Sequence, residues 1–240
     1  MHINKMLDRI VQLMDENVNR ERLVKDSQIR ALQNQINAHF IYNVLESIKM
    51  TAEIEGEYGI SDAVTALGKM LRYNMKWSGA TVQLSEELDY VRHYLLLMNL
   101  RLDYTIELKT DVPKEFEIIE VPKMSLQPIV ENAVLHGIEE IAEDAVVSIR
   151  AVREGLNCML IIHDTGCGMD STQLLKLQEK LKNTQSPGEG DGRGIGLKNV
   201  QERLHIAFGE MYGLEVASDP GKGTTVTMCI PVYQGKETIN

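Results

Sequence analysis

No proline occurs before Pro113 and no glycine before Gly56, although the 240-residue chain contains 6 prolines and 18 glycines. Proline removes a backbone donor and clashes inside a helix, and glycine is entropically costly there. The chain therefore divides into a first half that can be helical throughout and a second half that must turn. In 1–55, Ile3, Met6, Ile10 and Leu13 are spaced three or four apart, as in a coiled-coil seam. Asn17 and Arg20 interrupt the seam, and a shifted stripe resumes at Leu32, Ile36, Phe40 and 42–45. A helix of about 50 residues would be about 75 Å long. Such a helix cannot bury its stripe alone, so a paired stalk is expected; a bundle closing on itself is the alternative.

The punctuation then sets the elements. Gly56 and Gly59 place a turn at 55–61, followed by a helix at 61–76 with Val64, Leu67, Met70 and Leu71 on one face. Ser85-Glu86-Glu87-Leu88 opens a third helix that runs to about Asp103, with its acids in the first turn, where the macrodipole favours them. Strands are expected at 104–109, 116–121, 146–152, 157–163, 214–218 and 224–231, and helices at 123–136, 171–182 and 194–208. A polar, glycine-rich loop at 184–193 separates the last two helices. The fold class is α+β: a helical stalk and helical hairpin, then a two-layer α/β sandwich.

Composition excludes several classes. The formal charge of −10 and pI of about 5.1 argue against a broad electrostatic grip on nucleic acid or acidic lipid. Cys158, Cys167 and Cys229 cannot pair completely and lack C-x-x-C spacing, which points to a reducing compartment without a zinc framework. The longest apolar runs fall far short of the roughly 20 residues of a membrane helix. With charges throughout 1–30 there is no signal-peptide pattern either, so the chain reads as soluble and cytoplasmic.

Motifs with chemical content lie mainly in the second half. His163-Asp164-Thr165-Gly166-Cys167-Gly168-Met169 puts a carboxylate at a strand end beside backbone without Cβ atoms, which a ligand can approach closely. Asp164 could accept from an exocyclic amine such as adenine's; an ordinary turn is the plainer alternative. Gly192-Arg193-Gly194-Ile195-Gly196-Leu197 runs into a helix, whose free N–H groups and dipole suit a phosphate. Gly188 and Gly190 upstream give the pliability of a lid. Gln127-Pro128-Ile129-Val130-Glu131-Asn132-Ala133 offers oxygens to Mg²⁺, or a proton acceptor; the pair is equally readable as a solvent face.

The order E-N-A, D-x-G-x-G-M, G-x-G-L and G-K-G-T-T (221–225) resembles the ATP-binding fold shared by histidine kinases, DNA gyrase, the Hsp90 chaperone and MutL. That resemblance implies ATP with Mg²⁺. Asn132 would coordinate the Mg²⁺ that bridges the phosphates, Asp164 would accept from the adenine amine, and Gly166 and Gly168 would let the base sit close. Gly194 and Gly196 would receive the phosphates under a lid at 181–193, with Leu197 and Thr224 completing the cofactor-binding set. Upstream, the run 32–43, Leu-Gln-Asn-Gln-Ile-Asn-Ala-His-Phe-Ile-Tyr-Asn, resembles the phosphoacceptor signature of LytS/YesM-type sensor histidine kinases. Leu71-Arg72-Tyr73, Glu86-Glu87-Leu88, Tyr94-Leu95 and Arg203-Leu204 extend that similarity over nearly the whole chain.

The implied domains are a signalling coiled coil at 1–27, a dimerisation and phosphoacceptor domain at 28–103, and a GHKL-type catalytic domain at 104–240. His39 is the expected phosphoacceptor. A neutral imidazole carries a nucleophilic ring nitrogen, and Asn43, one turn later on the same face, could hydrogen-bond the other ring nitrogen. His39 would be phosphorylated from ATP in a homodimeric four-helix bundle and pass the phosphate to an aspartate of a response regulator; no nucleic-acid partner is implied. Ala38 stands where the family has proline, Thr165 where it has asparagine, and Phe40 where many kinases carry an acid. Glu131 and Glu46 are then the candidate proton acceptors. Two further functions remain open: a nucleotide-gated dimeric scaffold, and a phosphatase acting on the regulator. The family's usual membrane sensor suggests a cytoplasmic fragment of a receptor in the bacterial cell membrane.

Overall fold

A computed structural model describes residues 39–75, 80–182 and 195–232. These fall into two compact units divided between Lys76 and Trp77. The seam at 1–27, Leu32, Ile36, Ala38, Gly194 and the lid segment 183–193 lie outside the described residues.

In the first unit, α1 is helical from residue 39 to residue 54. Gly56 (φ 79°) closes it with a paired motif: the Glu57 N–H donates to Ala52 O at 2.8 Å and the Gly56 N–H to Glu53 O at 3.2 Å. Helix α2 (Tyr58–Met75) starts immediately, so the turn is shorter than the expected 55–61. Ser61 Oγ donates to Glu53 Oε1 at 3.0 Å, the Arg72 guanidinium lies 5.4 Å from the Tyr42 ring centre, and a Cβ on Gly68 would sit 3.9 Å from Leu45 Cδ1. Those pairs run in opposite directions along the chain, which makes α1 and α2 an antiparallel hairpin. Its seam is thin: Ala52, Ala66, Tyr73 and Ser61 are buried. The apolar stripe expected on α2 is left half-buried or exposed, as at Leu67, and Phe40, Val44, Ile48 and Ile54 form an exposed arc on α1.

In the second unit, a short antiparallel ladder pairs β1 (Thr81–Gln83) with β3 (Glu120–Pro122). A second sheet runs in the order β2 (Ile106–Asp111), β4 (Ala145–Glu154), β5 (Asn157–Asp164), β7 (Gly223–Pro231), β6 (Gly213–Asp219). Only β2 and β4 are parallel; the other neighbours are antiparallel. Register places Ile149, Ile162, Val226 and Val216 side by side, and Ala151, Leu160, Met228 and Leu214 likewise, so one face is uniformly apolar and buried. Helices α3 (Leu84–Arg101), α5 (Gln127–Asn132), α6 (Ser171–Lys182) and α7 (Ile195–Phe208) pack with this unit, giving the two-layer sandwich.

Three local outcomes differ from the expected elements. Residues 116–121 are not one strand: the short helix α4 (Lys114–Glu117) follows Pro113, and Phe116 and Ile119 are buried three apart, at helical rather than strand spacing. Strand β1 is too short to carry a periodic signal and forms only by pairing with β3. The helix expected over 123–136 begins at Gln127 and continues as a π turn over Ala133–Ile138. Helix α3 packs with β1, β2, α4 and α5, whereas the sequence groups 84–103 with the hairpin. Leu84, Leu88, Val91 and Leu95, at helical spacing and at most 2% exposed, make that packing.

Candidate functional site

Strand β5 points Cys158, Leu160, Ile162 and Asp164 to the same buried face, so the period-two alternation that fills the core carries a carboxylate to the end of an apolar row. Asp164 is 4% exposed. Its Oδ1 accepts the Gly166 N–H at 2.9 Å and the Thr224 N–H at 3.3 Å, and among the described residues Oδ2 accepts nothing. Burial pushes the carboxyl above its ordinary range; the two N–H donors and the neighbouring His163 pull the other way without cancelling it.

The loop behind Asp164 is tied down on both sides. The Cys167 N–H donates to Gly137 O at 3.0 Å, and the Gly221 N–H to Cys167 O at 2.6 Å. A Cβ on Gly166 would lie 2.4 Å from the Gly137 carbonyl carbon, and one on Gly168 (φ 70°) would lie 2.0 Å from Asp219 O. Backbone packed on backbone thus requires both glycines, in addition to any ligand approach. Thr165 closes a strand end: its Oγ1 accepts the Val146 N–H at 2.9 Å.

From the helical side, Ile129, Asn132, Ala133, His136, Gly137 and Glu140 face the same cleft, spaced three and one apart along α5 and the π turn, a widened turn frequent at functional sites. Asn132 Nδ2 is buried without a hydrogen-bond partner among the described residues. The cleft, about 280 Å³, is also lined by Asp164, Gly168, Leu197 and Thr224. Gly196 sits at its edge, where a Cβ would lie 3.1 Å from Pro128 Cβ and 3.7 Å from Asn132 Nδ2. Glu131 is not among the cleft residues: it accepts from Gln127 Nε2 at 2.8 Å on a neighbouring face of its helix. Gln173, Lys176, Leu177 and Lys180 line the cleft from α6 at helical spacing, a face visible in the sequence only once the helix is known to border a site.

Cys167, also in the cleft, donates to the His136 carbonyl and to Glu140 Oε2, each at 3.3 Å, and burial followed by that carboxylate pushes its thiol up. Among the described residues no cluster of three His, Cys, Asp or Glu is placed to hold a metal. In the first unit, His39 is exposed and its Nδ1 lies 3.3 Å from Asn43 Nδ2, the one-turn pairing expected from the sequence. Glu46 pairs with Lys49 at 3.6 Å. Among the described residues no helix is long and apolar enough to cross a membrane.

Residues 27–106 match the histidine kinase family, and residues 122–234 match the histidine kinase-, DNA gyrase B-, and HSP90-like ATPase family. The chain is 37% identical over 231 residues to the sensor histidine kinase YesM of Bacillus subtilis, covering 96% of this chain and 38% of that protein. It is 28% identical over 234 residues to the sensor protein kinase HptS of Staphylococcus aureus, covering 98% of this chain and 44% of that one. The chain thus spans less than half the length of these relatives. A cleft with a buried aspartate and an unpaired amide would suit several ATPases of this fold. The helical match around His39 narrows the choice, and the chain belongs to the sensor histidine kinase family.

Proposed function

We propose that the chain is the phosphoacceptor and catalytic part of an ATP-dependent protein-histidine kinase of a two-component system. In this account 1–27 form a signalling coiled coil, the segment from 28 through the α1–α2 hairpin a dimerisation and phosphoacceptor domain, and the unit from 77 onward, α3 included, the ATP-binding domain. Asp164 Oδ2 accepts from the adenine amine, while the carboxylate is kept oriented by the Gly166 and Thr224 N–H groups. Gly168, Leu197 and Thr224 enclose the base, Gly166 supports the loop from behind, and Gly194 and Gly196 approach the phosphates. A Mg²⁺ ion, held by the Asn132 side-chain oxygen, would neutralise phosphate charge; one protein oxygen suits a cation that keeps its waters and takes phosphate oxygens. Asn132 fits that role because its amide nitrogen is buried and unpaired among the described residues, which leaves the side chain uncommitted to the protein.

The reaction itself is a positioning problem. A lone pair on the His39 ring attacks the γ-phosphorus in line, the N–P bond forms, and the bond to the β–γ bridging oxygen breaks, releasing ADP. The proton on the other ring nitrogen then passes to a base. Asn43 is placed to select the attacking nitrogen: with its amide turned so that Oδ1 accepts the Nδ1–H, Nε2 keeps the free pair. Glu46, paired with Lys49 on the same helix as His39, and Glu131, which accepts from Gln127, are the candidate proton acceptors. An aspartate of a response regulator then takes the phosphoryl group. The exposed arc of Phe40, Val44, Ile48 and Ile54 supports a homodimeric four-helix bundle. In this account the whole protein is a receptor of the bacterial cell membrane, with these domains on the cytoplasmic side.

The observation that carries this proposal is the pairing of Asp164, one oxygen uncommitted, with the unpaired amide of Asn132 in one cleft. Incubation with γ-labelled ATP tests it. Label that is acid-labile, base-stable and absent from His39→Gln is the expected result. Nucleotide binding without label would favour a scaffold, and net loss of phosphate from a labelled regulator would favour a phosphatase.

A further inference from the structure

We propose that Glu87 is a positioning residue for Asn132, capping from α3 the start of the helix that carries it. The inference rests on the proposed role of Asn132 toward the nucleotide's cation. Helix α5 has no cap of its own: its N-cap residue is Leu126, without a side-chain hydrogen bond. The free N–H groups of such a start need acceptors. The Ile129 and Val130 N–H groups find Leu126 O, and the turn that enters the helix is held from α3, Glu87 Oε1 accepting the Met124 N–H at 2.6 Å and Oε2 the Leu126 N–H at 2.7 Å.

Three features separate this from ordinary capping. Glu87 is 0% exposed and does not line the cleft, so its carboxylate has no direct route to a ligand. A buried carboxylate is a costly way to cap a turn that a local Ser or Asp could cap, unless the turn must be referenced to another helix. Met124 is held at φ 62°, a left-handed conformation unfavourable for a side chain of this kind, and its N–H is one of the two that Glu87 binds. The same turn is gripped from α7, whose Arg203 Nη1 donates to Lys123 O at 2.6 Å. From Leu126 to Asn132 is less than two helical turns, so a shift of the capped turn is carried directly to the amide. Asp164 lies on β5 and its loop, a different part of the chain from the two N–H groups that Glu87 binds. Loss of the cap should therefore affect the cation side of the site and spare the adenine side.

The test compares ATP binding in EDTA with ATP binding in Mg²⁺, by calorimetry on the whole chain, for wild type and Glu87→Gln. A glutamine keeps the size and one acceptor but turns a donor toward the second N–H. The expected result is Mg²⁺·ATP affinity about tenfold weaker, with affinity in EDTA retained. In an Asn132→Ala background, Glu87→Gln should then add nothing. Adding Met124→Gly, which adopts the left-handed conformation freely, should restore part of the Mg²⁺-dependent increment, and it supplies the measurable variant if Glu87→Gln alone fails to fold. Unchanged Mg²⁺ dependence in Glu87→Gln, equal losses with and without Mg²⁺, or no recovery with glycine would each overturn the inference. A wild-type chain that binds no ATP under either condition would overturn the functional proposal and this inference together.

Discussion

The helical hairpin and the sandwich solve the burial problem in opposite ways. In the sandwich, β4, β5, β6 and β7 turn one face inward, and Ile149, Leu160, Met228 and Ile230 are fully buried within a single chain. In the hairpin, small residues such as Ala52 and Ala66 make the seam, while Phe40, Ile48 and Ile54 remain exposed, Ile54 at 81%. A unit that closes its own core can hold a ligand site rigidly. A unit that leaves an apolar arc open offers the face on which the proposed dimer would close, and His39 stands beside that arc.

The largest expected effect separates the two units. His39→Gln should abolish phosphate labelling while leaving ATP affinity unchanged; a loss of nucleotide binding in this variant would break the division of labour. Asp164→Asn should weaken ATP binding about 10- to 100-fold, the scale of losing a charged acceptor. Its stability should move the other way. The Asp164 carboxyl is raised above its ordinary 3.8, so its stabilising contribution is complete below that value and fades as pH rises through the raised one. The variant should accordingly be at least as stable as wild type at neutral pH, and denaturant melts across acidic to neutral pH will show whether the difference grows as pH rises.

Much of this contrast is legible in the sequence. The missing prolines and glycines mark the helical half, and the apolar character of 157–163 and 224–231 marks both strands, whereas the alternating burial that turns Asp164 inward appears only in the fold. Helix α6 has the expected bounds, because Ser171 and the polar, glycine-rich sequence after Lys182 mark both ends. What escapes is set by distant partners. Strand β1 exists only through β3. The start of α5 is delayed past 123–126 by a turn that Glu87 holds from another helix. Glu131 and Asn132 are adjacent in sequence but lie 100° apart around a helix, so only one of them faces the cleft. Gly166 and Gly168 signal close approach, but which atoms approach is known only from the fold.

Smaller effects sharpen the comparison further. Ile48→Glu places a charge on the exposed arc and should raise the dimer dissociation constant about tenfold or more, measurable by sedimentation, with nucleotide affinity intact. A hairpin that is monomeric in wild type would remove this prediction's basis. Asn43→Ala should slow labelling about fivefold, the value of one neutral hydrogen bond, without changing ATP affinity. A wild-type labelling rate would show that the His39–Asn43 contact does not select the attacking nitrogen.

In the proposed reaction the cleft around Asn132 and Asp164 places phosphate on one imidazole. Phosphorus NMR of the chain incubated with Mg²⁺·ATP tests it most directly. A phosphoimidazole resonance that appears in wild type and is missing in His39→Gln is the predicted result; the same resonance in both proteins, or ADP and inorganic phosphate alone, would contradict it.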